Sequence, residues 1–372
     1  MPLGKSQKID YFPKVANPLK TLLRYPVRKN DPLQAWDTAD QLLLEYVGNI
    51  DLSGKRILIL NDQFGALIAG LEGHDTSSYT DSYVSDRGIH LNCAGKKPIS
   101  NLDDLDGIYD LVLLKVPKNM SFFEDILCHL THHLRPSSKV ICGAMIKHLP
   151  KTSFELLQKY IGETSTSLAQ KKARLIFADF QKGPIQSPFP LKMFIEPLKS
   201  DFVNHSNLFS REKLDIGTRF FLEHIPVGKF QSILDLGCAN GVVGILAKKL
   251  NPHAKVIFSD ESNMAVQSAK INYQNHFSDE AKYLWTNCYE GQERESLDLV
   301  LCNPPFHQQN TVGDFIAEQM FQDSHQALKK GALIRVIGNS HLGYQRTLKK
   351  IFGNSEIVAT NQKFMIIDAR KI

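Results

Sequence analysis

The sequence predicts an α/β protein of two tandem Rossmann-like domains, the first a degenerate copy of the second. Three observations carry this. Short apolar runs alternate with helical patterns, as in a parallel, doubly wound sheet. The alternation occurs twice: strand, loop and helix over 57–71 recur over 232–249, a strand ending in Asp81 answers one ending in Asp260, and Leu114-Lys115-Val116-Pro117 stands where Cys302-Asn303-Pro304-Pro305 stands later. Between the copies, Gly183 to Pro190 is the densest run of chain breakers, which places the domains at 1–190 and 191–372.

Length and composition agree. The 372 residues are 42% hydrophobic, enough for two cores, and the net charge is only +5. The charge is unevenly spread: residues 1–30 hold seven Lys/Arg against one acid, 139–199 ten against four, and 329–350 six against none. Such stretches suit a polyanion, although a solvated face is the commoner reason for any one of them. The six cysteines form no C-x-x-C pair and read as buried, reduced thiols. His129, His132 and His133 share a helical spacing, but no carboxylate or cysteine completes a metal set, so they read as a surface cluster. No apolar run is long enough to span a bilayer, and no secretory leader is apparent.

In chain order, residues 1–30 read as a basic, proline-punctuated arm. A helix is predicted from Asp31-Pro32 through Val47, because Leu33, Trp36, Ala39, Leu43 and Val47 share one face. Strands follow at 55–60, up to Thr80, at 109–115 and at 139–144, with helices at 122–134 and 152–161. The second domain opens with a helix near 214–224. A strand at 231–236 then runs into the small-residue loop Gly237-Cys238-Ala239-Asn240-Gly241 and a helix over 242–250. Strands at 255–260, 283–286, 297–302 and 332–337 come next, and segments near 356–360 and 363–369 close the sheet as a hairpin.

The stretch Leu297 to His307 organises the second domain. Pro304 and Pro305 cannot donate to a ladder, so the strand stops and Asn303 sits at its carboxyl end. An exocyclic amine or amide is a poor nucleophile because its lone pair is delocalised. The Asn303 side chain and the Pro304 carbonyl can accept its hydrogens, and Phe306 offers a flat face for a planar substrate. On its own, Asn-Pro can also be a plain turn. Its setting decides. Gly237 and Gly241 keep a loop open beside a helix N-terminus, Asp260 can take two ribose hydroxyls, and Asn287 can meet an adenine edge or simply form a turn. The loop is neither G-x-G-x-x-G nor a Walker motif, and the set fits S-adenosylmethionine with a planar amine acceptor.

Across nearly its full length the chain resembles the bacterial rRNA guanine-N2 methyltransferases of the RsmC/RlmG family, built from two methyltransferase-like domains. The resemblance rests on Asp31-Pro32-Leu33-Gln34-Ala35-Trp36, Leu58 to Asp62, Lys171 to Leu175, Phe209-Ser210-Arg211, Leu214 to Gly217 and Asn303 to Gln308. Asn30 to Trp36 and Lys350 to Asn354 favour the branch acting on large-subunit (23S) rRNA over the small-subunit (16S) branch. One departure is Ala239, where the family's loop usually has glycine. The resemblance implies that Asp235, Gly237, Gly241, Asp260 and Asn287 hold S-adenosylmethionine, while Asn303, Pro304 and Phe306 hold a flipped guanine. The basic excess in 1–30 and 139–199 predicts a first domain that grips the RNA backbone, with Lys171, Lys172 and Arg174 as candidates, and the reduced thiols and incomplete histidine set predict a cytoplasmic enzyme without a metal. Methylation of a protein glutamine amide is the rival chemistry, and a catalytically silent RNA-binding protein the rival class.

Overall fold

In a computed structural model, residues 18–29, 31–211, 213–305 and 311–372 are described. Most of the predicted basic arm, and Phe306, lie outside them. The chain divides into two compact units, one of residues 1–80, 85–123 and 127–185, the other of 81–84, 124–126 and 186–372.

The first half comprises α1 (Thr38–Val47), β1 (Ile57–Leu60), α2 (Ala66–Gly70), β2 (Thr76–Tyr79), α3 (Tyr83–Asn92), β3 (Leu111–Lys115), α4 (Met120–Leu130), β4 (Lys139–Met145), α5 (Lys151–Tyr160), β5 (Thr164–Thr166) and β6 (Ala173–Asp179). Helix α1 starts six residues later than predicted. Asp37 is extended, and its carboxylate accepts from the backbone of Ala39 and Asp40 while Asp40 reciprocates, a capping box that ends the non-helical approach. The sheet order is β2-β1-β3-β4-β6-β5. Strands β1 to β4 are parallel, but β6 runs antiparallel to β4 and β5 to β6, so the sheet is mixed rather than parallel throughout.

The second half opens with the hairpin β7 (Leu191–Ile195) and β8 (Ser200–Asn204), which the sequence reading did not anticipate. It continues through α6 (Ile216–Leu222), β9 (Ser232–Leu236), α7 (Val242–Leu250), β10 (Lys255–Asp260), α8 (Asn263–Gln274), β11 (Lys282–Trp285), β12 (Leu297–Cys302), α9 (Thr311–Ala327), β13 (Leu328–Asn339), α10 (Tyr344–Phe352), β14 (Glu356–Thr360) and β15 (Phe364–Arg370). The sheet order is β11-β10-β9-β12-β13-β15-β14. Strands β14 and β15 form the expected hairpin, and a tight hairpin must be antiparallel.

Strand β12 is apolar almost throughout because both its faces are covered. Leu299 and Leu301 join one core with Ile233 and Ile245, while Val300 and Cys302 join another with Leu234, Ile334 and Phe321. All six cysteines are buried free thiols. No helix among the described residues is long and apolar enough to cross a membrane.

Candidate active site

The chain leaves β9 for β10 on one side and returns in β12 on the other. That reversal opens a crevice at the carboxyl ends of β9 and β12, where open α/β sheets bind ligands. Cys302 pairs with Leu236, so Asn303 and Gly237 are the first residues beyond the paired strands. A Cβ added to Gly237 would lie 3.7 Å from the Asn303 backbone oxygen, so the two segments come close there.

The Asn303 amide is held in one orientation. Its Nδ2 donates to Thr218 Oγ1 at 3.2 Å. Thr218 sits in the first turn of α6, where Asp215 accepts from its backbone N–H at 3.0 Å. With Nδ2 engaged, Asn303 Oδ1 is left buried without a partner among the described residues. An unsatisfied buried acceptor is disfavoured by roughly 1–3 kcal/mol, which a ligand N–H would relieve. Pro304 beside it is buried and Pro305 half-buried. Sequence reasoning missed Thr218, because nothing local reveals a contact between residues 85 positions apart.

The remaining candidates divide by what they touch. Gly237, Ala239 and Gly241 all have positive φ, at 77°, 46° and 81°. For Ala239 this conformation is disfavoured by roughly 1–2 kcal/mol, as expected for alanine at a glycine-like position. Its N–H donates to Asp260 Oδ2 at 2.9 Å, while Asp260 Oδ1 accepts from Ser262 N–H at 3.0 Å. The Glu261 N–H also donates to this half-buried carboxylate, and the acceptor capacity that remains is what a ribose hydroxyl would use. Gly241 turns inward: an added Cβ would lie 3.0 Å from Ala269 Cβ and 3.2 Å from Phe258. Its missing side chain makes room for packing. Asn287 is buried in a turn, donating through Nδ2 to Glu290 Oε2 at 3.1 Å.

Asp235 lies beneath the loop. It is 3% exposed, and its Oδ2 accepts from Gly244 N–H in the first turn of α7 at 2.8 Å. Its direct contacts are therefore with the helix that carries the loop. Burial, the main cause, raises its pKa from 3.8 to about 8. The folded chain thus holds a proton that the unfolded chain releases. The stability this group supplies is complete below about pH 4 and is lost as pH rises through about 8. Asp235→Asn should therefore flatten the fall in melting temperature between pH 5 and 9. An unchanged slope in thermal denaturation would contradict this. The flattening should be partial, since Asp62 and Glu261 are raised by burial to about 7 and 8.

In the first unit the counterparts of the glycine loop and of the Asn303 strand end are closed by that unit's own residues. The Asp62 carboxylate accepts four backbone N–H groups, from Gly65, Ala66, Leu67 and Ile68, at 2.9–3.1 Å, so it occupies the N-terminus of α2 itself. Phe64 packs on Gly88, with the Arg24 guanidinium 5.6 Å from its ring centre. Where Asn303 ends β12, Lys115 ends β3, and its Nζ lies 2.7 Å from both Asp37 and Asp40. Opposing charges fill the place of an open acceptor.

Lys171 and Lys172 form the two-residue tip between β5 and β6, with left-handed φ values of 44° and 66°, and both are exposed. Gln170 and Ala173 exchange backbone hydrogen bonds across it at 2.8 and 2.9 Å. Such tips favour Asn-Gly, so two lysines there are conformationally disfavoured. Arg174 is half-buried, with a buried Nε that has no partner among the described residues. The three histidines bond separately, to Asp103, the Ile185 carbonyl and the Gly107 carbonyl.

Residues 14–182 match the RLMG N-terminal domain family and residues 199–368 the methyltransferase small domain family. The ribosomal RNA large subunit methyltransferase G of Pseudomonas putida (strain W619) is 45% identical over 365 residues, covering 94% of this chain and 97% of that protein. The chain belongs to the ribosomal RNA large subunit methyltransferase G family. Its counterpart from Pseudoalteromonas translucida (strain TAC 125) is 42% identical over 367 residues, covering 94% of this chain and 96% of that one. The two-part fold also matches the T. thermophilus 16S rRNA N2 methyltransferase RsmC, solved with AdoMet and guanosine. That match has a TM-score of 0.77 at 20% identity and covers 90% of this chain and 92% of the other.

Proposed function

We propose that this chain transfers a methyl group from S-adenosyl-L-methionine to the exocyclic N2 of a specific guanosine in 23S rRNA. The observation that carries the reading is the Asn303 amide: turned by Thr218, it offers a buried, partnerless oxygen beside an open glycine loop. An exocyclic amine donates into that oxygen and into the Pro304 carbonyl, which holds its lone pair out of the ring plane. Phe306 supplies the stacking face. Family membership along both units favours the large-subunit rRNA over the 16S alternative and over a protein glutamine.

The residues fit the cofactor. Gly237 adds no side chain to the loop, and the Asp260 carboxylate, held by the Ala239, Ser262 and Glu261 N–H groups, would accept from a ribose hydroxyl. Asn287 borders the adenine end, while Asp235 and Gly241 support the loop through α7 and α8. When bound, S-adenosylmethionine supplies an electrophilic methyl group. The protein's own contribution is to position the amine and accept its hydrogens, and the methylated amine then releases its proton to water. No general base and no metal enter this scheme. The six buried thiols suit a reducing compartment, and the reading places the enzyme in the cytoplasm.

The test is transfer of labelled methyl groups to naked 23S rRNA, 16S rRNA and total protein, followed by mass mapping of the modified nucleotide. Label in 16S rRNA or protein alone would overturn the reading.

In the same scheme the first unit grips RNA through Lys171, Lys172 and Arg174. Replacing all three by alanine should weaken binding to 23S rRNA and lower the slope of log affinity against log salt by about two to three. Affinity for S-adenosylmethionine should stay the same. An unaltered salt slope in filter binding would remove these residues from the interface.

A further inference from the structure

Next to the strand that carries Asn303, the end of β13 and the start of α10 border a solvent-open pocket of about 190 Å³. Asn339, Gly343 and Arg346 are among the residues lining it. Asn339 is 8% exposed, and its Oδ1 is buried without a partner among the described residues. No account of the methyl-transfer step uses this oxygen, so it is a second unsatisfied acceptor at the same edge of the sheet. Val336 pairs with Cys302, so Asn339 lies two residues beyond the position opposite Asn303. With strand spacings of 3.3 Å along and 4.8 Å across, the two asparagines are roughly 8 Å apart, within reach of adjacent nucleotides.

The rest of the cavity is built for an anion. Gly343, whose φ is 68°, precedes α10, and no side chain among the described residues caps the helix N-terminus. Arg346 in its first turn is exposed and has no ion-pair partner among the described residues. An uncapped helix N-terminus attracts a phosphate, and a nearby guanidinium strengthens that attraction. A buried carbonyl oxygen would repel the same anion but accept from a hydroxyl. The two chemistries occur side by side in a ribonucleotide, as 2′-hydroxyl and phosphate.

We infer that this cavity is a ribonucleotide subsite for the residue flanking the target guanosine, with Asn339 Oδ1 accepting from its ribose 2′-hydroxyl and Arg346 with the α10 N-terminus holding its phosphate. The inference rests on the proposed RNA substrate. It gives the enzyme a means of telling RNA from DNA that does not involve the reacting base.

The test uses the full-length protein and an RNA fragment spanning the mapped guanosine, made with the natural ribose or with 2′-deoxyribose at each neighbouring nucleotide. With the unaltered protein, one deoxy substitution should lower kcat/KM by about three- to tenfold, the effect of one hydrogen bond. Asn339→Ala should lower it similarly on the natural RNA and be indifferent to that substitution. Arg346→Gln should raise the KM for RNA and reduce the salt slope by about one, with kcat unchanged. Both variants should bind S-adenosylmethionine like the parent in calorimetry, which confirms folding. If the parent methylates the RNA but Asn339→Ala remains as sensitive to every deoxy position, the subsite is wrong and the rRNA reading stands. If the parent methylates no RNA, both fall. Asn339→Ser, a shorter acceptor, should recover part of the deoxy sensitivity; a variant that misfolds altogether would fail the calorimetric check, and the Arg346→Gln salt slope then decides.

Discussion

Asn303→Ala is expected to slow methyl transfer by about a hundred- to a thousandfold with S-adenosylmethionine affinity nearly intact. The effect is large because the lost oxygen acts where charge develops on the amine, in a buried setting where a positioned acceptor counts for more than in water. The oxygen has no structural duty to lose, since among the described residues it bonds to nothing. The readout is single-turnover transfer to 23S rRNA at saturating cofactor, with calorimetry alongside. Thr218→Val tests the same assignment from behind: without Oγ1 the amide is free to turn, and kcat should fall while Kd for the cofactor does not. Near-normal turnover in Asn303→Ala would mean that this residue only terminates β12.

Asp260→Ala is expected to weaken S-adenosylmethionine binding by about 1–3 kcal/mol, roughly 5- to 150-fold, through loss of a charged acceptor. The carboxylate also ties Ala239 N–H and Ser262 N–H together, so its removal loosens a loop that already holds an alanine at positive φ. Burial, its largest influence, raises the Asp260 pKa. A protonated carboxyl is a poorer acceptor, so cofactor affinity should fall on acidification sooner than an ordinary aspartate would dictate. In Asp260→Ala that pH dependence should disappear. Calorimetry between pH 5 and 8 measures both effects, and unchanged affinity would exclude Asp260 from the site. Stoichiometry should be one cofactor per chain, because Asp62 and the Lys115 ion pairs close the first unit.

Much of the arrangement was legible in the residues themselves. A strand buried on both faces has to be apolar, and paired prolines have to end it, so β12 and the position of Asn303 follow from Leu297 to Pro305 alone. The helix over Val242–Leu250 and the closing hairpin were visible for the same kind of local reason. The doubling of the chain was visible as well, along with the first copy's lack of a glycine loop.

What local pattern does not encode is which distant group a side chain meets. Asp235 near the end of β9 and Gly241 at the start of α7 have contacts with Gly244, Ala269 and Phe258, partners that no local pattern announces. The two strongest chemical features, the free oxygens of Asn303 and Asn339, are invisible in a sequence for the same reason. An amide oxygen is unsatisfied only by virtue of everything packed around it. That is settled by α6 bringing Thr218 to Asn303, and by β13 running on beyond the end of β12 towards α10. The order of residues determined the fold, the strand ends and the kind of chemistry; tertiary packing alone decided which acceptors stay open, since burial and partnership are properties of the assembled chain.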